Sequence, residues 1–485
     1  MKKNFIYNLI YQLLVLILPL ITVPYISRVL GAEGIGTYSY TYSIAYYFMI
    51  LAMLGLNNYG NRTIAKVRDD KIKLSKEFYS IYYLQLMMSI TMVIIYLFYV
   101  MIFDNKYKIV SLIQMLYVVS SCFDVNWFFF GIEKFKLTIT RNTIVKILSL
   151  ILIFTFVKTP NDVWKYTLIL AGSTLSSNLV LMRFLHRYIK FEKVTKSDIL
   201  KHFKPCLILF LPVIAVSIYK IMDKIMLGIL STVREVGYYE NSEKIINMPL
   251  TIITALGTVM LPRVSNMLSN NREDEVKKML AKTMPFIMFL SLPMVFGITV
   301  ISKEFSILFF GKEFEKSGNL IQLLSITILF LSWGNVIRTQ YLIPKERDKE
   351  YIISAFLGAI INFIMNLIFI PRYRAIGACI GTITAEFVVM FYQSWKVKKE
   401  LPLKKYIIDS VPFLIKSIIM LNIILFLGLI ITENMMLKLI LQVFIGILVY
   451  GLLNIKYILK NIQLNIILNR FRKGKTKWKH ILLQV

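Results

Sequence analysis

LPVIAVSIYKIMDKIMLGILSTVREVGYYENSEK, residues Leu211–Lys244, decides the fold. It reads as two apolar helices joined by a short turn, and it opens the second half of the chain. Helices that cross a bilayer need roughly 20 apolar residues. Yet this hairpin carries Lys220, Asp223, Lys224, Glu240, Glu243 and Lys244. A charge at membrane depth costs about 2.5–3.5 kcal/mol on the insertion scale and usually marks a pathway or site. Lys220, Asp223, Lys224 and Leu227 share one helix face by their spacing, and Glu240, Glu243, Lys244 and Asn247 share another. Lipid exposure is too costly for either face, so each is expected to meet the other or a water-filled cavity. As a site, the hairpin supplies Lys220, Lys224 and Lys244 to attract an anionic substrate. Asp223, Glu240 and Glu243 are then available to a coupling cation, Na+ or H+. The plainer alternative is a set of closed ion pairs, or lysines reaching to the membrane surface.

Working outward, the 485 residues of the whole chain are 57% apolar and only 17% charged. That is too little charge to cover a soluble protein of this size. The apolar residues fall in long runs, so the class is an all-α polytopic membrane protein. A net charge of +30 would suggest nucleic acid in a soluble chain. Here the basic residues sit in alternate loops, and no nucleic-acid partner is expected. Cys122, Cys206 and Cys379 are scattered through apolar runs, and His186, His202 and His480 are isolated. They form neither a disulfide framework nor a metal site. The first apolar run is too long for a signal peptide and reads as a span.

About fourteen spans are expected, the first near 5–29 and the last near 436–455. With this count the loops on one side carry 38 Lys and Arg, against 11 on the other. The positive-inside rule then puts both termini in the cytoplasm. Twelve spans with a differently placed last pair is the rival. Leu18–Val23 resembles Leu211–Val216, and Ile35-Gly36-Thr37-Tyr38 resembles Val236-Gly237-Tyr238-Tyr239. Both copies start on the same side, which fits a parallel repeat. The expected division is a six-helix lobe over 1–190, a second over 191–400, an extra helix pair over 401–460 and a basic cytoplasmic tail over 461–485. The loop Ser302–Ser317 is expected to form a short helix at the interface.

Three further features bear on function. Arg28 ends the first span, at the place that corresponds to the charged hairpin, and is a candidate for anion binding. Glu386 lies mid-span without a local basic partner, and is a candidate for ion coupling. The tyrosine-rich run Tyr38–Tyr47 is either interfacial anchoring or the wall of a sugar-handling cavity. Gly377-Ala-Cys-Ile-Gly381 is a small-xxx-small pattern that predicts close helix packing. No GxxxxGK[ST] loop is present, so ATP hydrolysis is not expected.

The order Asp124-x-x-Trp127-x-x-x-Gly131-x-Glu133 resembles the bacterial polysaccharide repeat-unit flippases of the O-antigen and capsule type. SRVLGAEGIGTYSY, the charged hairpin, LPRVSNML at Leu261–Leu268 and the stretch Tyr341–Glu386 extend the resemblance over most of 1–395. The family often has Gln where this chain has Phe130, and Gly where it has Arg374. The resemblance implies a MATE-like fold of two six-helix lobes plus two C-terminal helices. It implies an undecaprenyl-pyrophosphate-linked oligosaccharide as substrate, alternating access, no resident cofactor and no catalysis. It also suggests contact with other polysaccharide-assembly proteins of the bacterial inner membrane. Alternatives are another exporter of the superfamily, for drugs or a peptidoglycan precursor, and a membrane-embedded polymerase or glycosyltransferase.

Overall fold

The computed structural model describes residues 2–431 and 434–461, and every described element is a helix. The helices in chain order are α1 (Lys2–Met53), α2 (Leu56–Val67), α3 (Lys71–Ile102), α4 (Lys108–Ser120), α5 (Asn126–Gly131), α6 (Phe135–Phe156) and α7 (Val163–Met182). Then follow α8 (Lys196–Leu200), α9 (Phe203–Leu230), α10 (Val233–Ser269), α11 (Glu273–Phe310), α12 (Glu315–Leu324) and α13 (Thr327–Ile337). A π-helical turn, Arg338–Leu342, leads to α14 (Asp348–Tyr373), α15 (Ala375–Val397), α16 (Leu403–Ile430), α17 (Met435–Leu453) and α18 (Ile455–Asn461). Among the described residues eleven helical stretches are long and apolar enough to cross a membrane, or twelve if the bent pair α12–α13 is one span. The chain is a multi-pass helical membrane protein. That is fewer than the fourteen expected spans, and Leu18–Val67 is one of these stretches where two spans were expected. That stretch breaks at Gly31, whose φ of 65° and ψ of −178° interrupt α1. Leu18, Pro19 and Thr22 before the break and Tyr46, Met49 and Met53 after it face one common cavity, so α1 doubles back as two arms.

The expected interfacial helix at Ser302–Ser317 does not form. Instead α11 runs without a break to Phe310, where Gly311 at φ 108° ends it. The apolar run SILFF simply prolongs the helix. The basic tail expected at 461–485 lies outside the described residues, apart from Asn461 at the end of α18.

Local chemistry accounts for the helix ends that frame the interior. Asp70 caps α3 by accepting from the Ile72 and Lys73 amides, and Thr232 caps α10 by accepting from Glu235. Such caps satisfy backbone donors that a helix leaves open. The carboxylate of Asp70 is held below its usual range by these amides. Charged side chains link the loops at the Lys- and Arg-rich end. Lys345 bridges Glu273 (2.8 Å) and Glu400 (3.3 Å), and Arg347 holds Glu400 (2.8 Å).

The two sequence repeats meet at a crossing of α1 and α10. A Cβ on Gly36 would lie 1.6 Å from the Val233 carbonyl oxygen, and one on Gly237 would lie 1.9 Å from that of Ala32. Ala32 and Val233 each precede their glycine by four residues, so the two contacts are mirror partners. The same 201-residue offset relates a second pair of contacts. Tyr40 fills the space beside Gly228, while Asn241 donates to Ser27 Oγ at 2.8 Å. Backbone lies against backbone here because glycine alone leaves room. Gly377 and Gly381 do the same for α15 against α14, where their missing side chains admit Phe369 backbone and the Asn366 amide.

Candidate functional site

Behind the α1–α10 crossing the structure brings together the charges of the opening hairpin. Lys224 Nζ lies 2.7 Å from Glu240 Oε2 and 2.9 Å from Glu243 Oε2. Lys244 holds the other Glu240 oxygen at 3.1 Å, and Ser39 donates to Glu240 from α1 at 2.9 Å. The two helix faces therefore do meet, as charge balance inside a membrane requires. Each cation satisfies a carboxylate that would otherwise be stranded in low dielectric.

Asp223 takes no part in that cluster, although it neighbours Lys224 in sequence. Its side chain is 1% exposed and accepts from Asn366 Nδ2 (2.5 Å), Thr382 Oγ1 (2.7 Å) and the Tyr239 hydroxyl (2.8 Å). Helices α14 and α15 supply the first two partners. Asn366 Oδ1 and Asn362 Nδ2 are buried nearby without hydrogen-bond partners. The Asp223 carboxylate, the Asn362 and Asn366 amide oxygens and the Thr382 hydroxyl are oxygens of the type hard cations take, whereas the open Asn362 Nδ2 is a donor. No group of three or more His, Cys, Asp or Glu that would hold a metal exists among the described residues.

Two cavities lie in the bundle, and the smaller reaches the ionic cluster through Glu243. One, of about 390 Å³, is lined by Lys220, Asp223, Glu243, Asn247, Arg338 and Glu386 among others. Lys220 and Arg338 lie within electrostatic reach of Glu386. The mid-span carboxylate thus has two basic neighbours that are remote in sequence or on another helix. The other cavity, of about 990 Å³, is built by α1, α2 and α4 to α7. Tyr46, Tyr117 and Tyr166 line it, so the Tyr38–Tyr47 run turns in part toward the interior. Tyr42 stacks its ring edge against Tyr117 with centroids 5.1 Å apart.

Arg28 stands apart from both cavities, donating to the Leu308 carbonyl at 2.5 Å near the end of α11. The motif residues form a clasp at the Lys- and Arg-rich end of the larger cavity. Trp127 is fully buried, donates to Gln85 Oε1 at 2.9 Å and stacks on Phe78. Gly131 leaves room for Ile64 and the Asn61 carbonyl, and Glu133 pairs with Arg68. Asp124 lines the cavity itself, and Phe130 forms part of the wall and stacks on Phe135. Arg374 has φ 54° and ψ −127°, a backbone state that favours glycine.

Residues 1–268 match the family described as "Polysaccharide biosynthesis protein". The chain belongs to that family. Among its relatives is a protein of Escherichia coli K12 named for O-antigen transport, 24% identical over 80% of this chain and 94% of its own length. Another is the capsular polysaccharide biosynthesis protein CapF of Staphylococcus aureus, 22% identical over 82% of this chain and 99% of its own. The fold of this family member is similar to that of the solved lipid II flippase MurJ in an inward closed conformation. The TM-score is 0.74 at 18% identity, over 93% of this chain and 99% of that one.

Charge patterning pointed to the hairpin but missed several residues. Asn366 and Thr382, which hold Asp223, are neutral and lie more than 140 residues away. The amides Asn57, Asn58, Asn61, Asn126 and Asn142 of the larger cavity carry no charge signal. Arg141 had the position of a loop cation, but it is 7% exposed and bonds to Asn126, Asn142 and the Ser177 carbonyl.

Proposed function

We propose that the chain is a flippase. It carries undecaprenyl-pyrophosphate-linked oligosaccharide repeat units across the bacterial cytoplasmic membrane for surface polysaccharide synthesis. The observation that carries this is the half-buried ionic cluster Lys224–Glu240–Glu243–Lys244, which opens through Glu243 on a polar cavity inside a membrane-spanning bundle. A cluster of this kind is a partition that opens only if its charges find other partners. An anionic diphosphate is such a partner for lysine, and a cation for a carboxylate. Family membership and the names of the relatives support a polysaccharide cargo.

In this proposal the two halves rock by alternating access, with both termini cytoplasmic. Lys220 and Arg338, with Lys224 and Lys244 once released, attract the diphosphate, and Arg28 does so from the opposite end. Asp223, with Asn362, Asn366 and Thr382, takes up the coupling cation, Na+ or H+, and Glu386 and the glutamates of the cluster respond to it. The tail of the lipid stays in the bilayer while the sugars cross through water-filled space. The protein makes and breaks no covalent bond.

The test is transport in everted membrane vesicles loaded with radiolabelled lipid-linked oligosaccharide in the outer-facing leaflet. The full chain is expected to render the sugar resistant to periodate added outside, and Asp223→Asn to abolish the dependence on a cation gradient. Protection no greater than in vesicles without the protein would reject the proposal.

A further inference from the structure

The larger cavity has a chemistry of its own, distinct from the charged one. Its polar lining is dominated by side-chain amides and hydroxyls, with Asp124, Arg141 and Lys146 as its charged members. Neither cation is free. The Arg141 guanidinium donates to Asn142 Oδ1 (2.6 Å), Asn126 Oδ1 (3.0 Å) and the Ser177 carbonyl (3.1 Å), and Lys146 is likewise engaged within the protein. Arg141 therefore acts as a positioning residue for two amides. Asn126 in turn donates through its Nδ2 to Asp124 Oδ1 at 2.6 Å. One continuous chain of bonds, Asp124–Asn126–Arg141–Asn142, results. The bonds so described leave Asp124 Oδ2 at one end as an acceptor and Asn142 Nδ2 at the other as a donor. Both residues face the cavity. A fixed acceptor and a fixed donor suit hydroxyl and acetamido groups, which both give and take hydrogen bonds. They do not suit a phosphate or a sugar carboxylate, which would meet the Asp124 carboxylate and find the guanidinium taken. Tyr46, Tyr117 and Tyr166 also line it, and aromatic rings are the apolar complement of a pyranose. The volume of about 990 Å³ is at the upper end for ligand pockets, with room for several sugar residues.

We propose that this cavity is the sugar-recognition compartment, and that it selects uncharged glycans rich in hydroxyl and acetamido groups, while the diphosphate is held outside it. This rests on the flippase proposal and specifies which part of the cargo lies where.

The experiment places a photo-cross-linking benzophenone amino acid at Val145, in the wall of the larger cavity, or at Asn247, in the wall of the smaller. The full chain is irradiated in its own cells, the lipid is cleaved off with mild acid, and the mass of the peptide-bound sugar is read. Capture at position 145 of a glycan free of carboxylate, phosphate and sulfate is expected. Adding Asn142→Asp should reduce that capture about tenfold, as expected for losing one well-placed donor and gaining a repulsive charge. Asn142→Gln should restore most of it. Glycan captured only at 247, or an acidic glycan at 145, would overturn the inference and leave the flippase proposal standing. No lipid-linked glycan at either position would overturn both. Undiminished capture in Asn142→Asp would remove that residue's role and the selectivity argued from it.

Discussion

Replacing Lys224 with Met tests whether the ionic cluster behaves as a closed buried network. The substitution keeps side-chain length but removes the ammonium that holds Glu240 at 2.7 Å and Glu243 at 2.9 Å. Breaking a buried pair by removing one partner costs about 3–5 kcal/mol, because the remaining charge is left uncompensated. Two details favour the lower end. Lys244 stays on Glu240 at 3.1 Å, and Glu243 keeps 26% of its side chain exposed toward the cavity. The expected loss is therefore about 3 kcal/mol. Glu240→Gln and Glu243→Gln are then added to the same chain. Only the Lys244 ammonium then remains, and with 36% of its side chain exposed it is solvated, while replacing a buried network as a whole is often neutral or stabilising. The triple variant should return to within about 1 kcal/mol of the parent. Equilibrium unfolding by SDS in mixed micelles, followed by tryptophan fluorescence, gives the comparison. A single variant as stable as the parent would show that water already compensates these glutamates. A triple variant as weak as the single one would show that the loss comes from packing and not from charge.

Other outcomes follow from particular contacts. His202 is 1% exposed, with Tyr59, Glu77, Lys201 and Asp198 around it, and burial lowers its imidazole to about 4. The unfolded chain then binds a proton near 6.5 that the folded chain refuses, so this group subtracts stability as pH falls from about 6.5 toward 4. The full effect is about 3 kcal/mol, and His202→Gln should flatten the slope of unfolding free energy against pH over that interval. Gly237→Ala drives a methyl into the Ala32 carbonyl and should sharply reduce the yield of folded protein, whereas Gly172→Ala, with open space around it, should not. Size-exclusion profiles of the two variants distinguish these cases. Arg374→Gly should stabilise by about 1 kcal/mol, since a non-glycine residue at φ 54° and ψ −127° is strained. An unchanged or lower thermal midpoint would show that the arginine side chain offsets the strain.

The helical membrane class was legible because it rests on long-range composition and periodicity, which tertiary contacts do not alter. So was the meeting of Lys224 with Glu240 and Glu243. They lie on consecutive helices, and low dielectric leaves such charges little choice of partner. The repeat around Gly36 and Gly237 was visible for a related reason, since a backbone crossing tolerates no other residue. The surroundings of Asp223 were not legible. Hydrogen-bonding partners drawn from α14 and α15 depend on how distant helices pack, and neutral Asn and Thr leave no distinctive pattern. The amide-lined cavity was hidden in the same way. Its residues come from α2, α5 and α6 and share no period, and Arg141 looked like any basic residue at a helix start. The length of α11 was misjudged because Lys303 and Glu304 suggested a loop, although a helix end at the membrane surface accommodates both. Lys438 satisfies Glu304 there at 2.8 Å.

The glycine crossing also sets a mechanical limit. Two backbones in contact have no rotamers to readjust, so the helices resist sliding along each other while remaining free to pivot about the touching point. From Gly36 to Met53 is 17 residues of helix, a lever of roughly 25 Å. Turning that arm by about 10° would shift its far end by roughly 4 Å, comparable to the width of a sugar ring, while the fulcrum itself stays still. Motion would thus be magnified at the Lys- and Arg-rich end and suppressed at the opposite one. Any widening near Gly36 would have to come from elsewhere in the bundle.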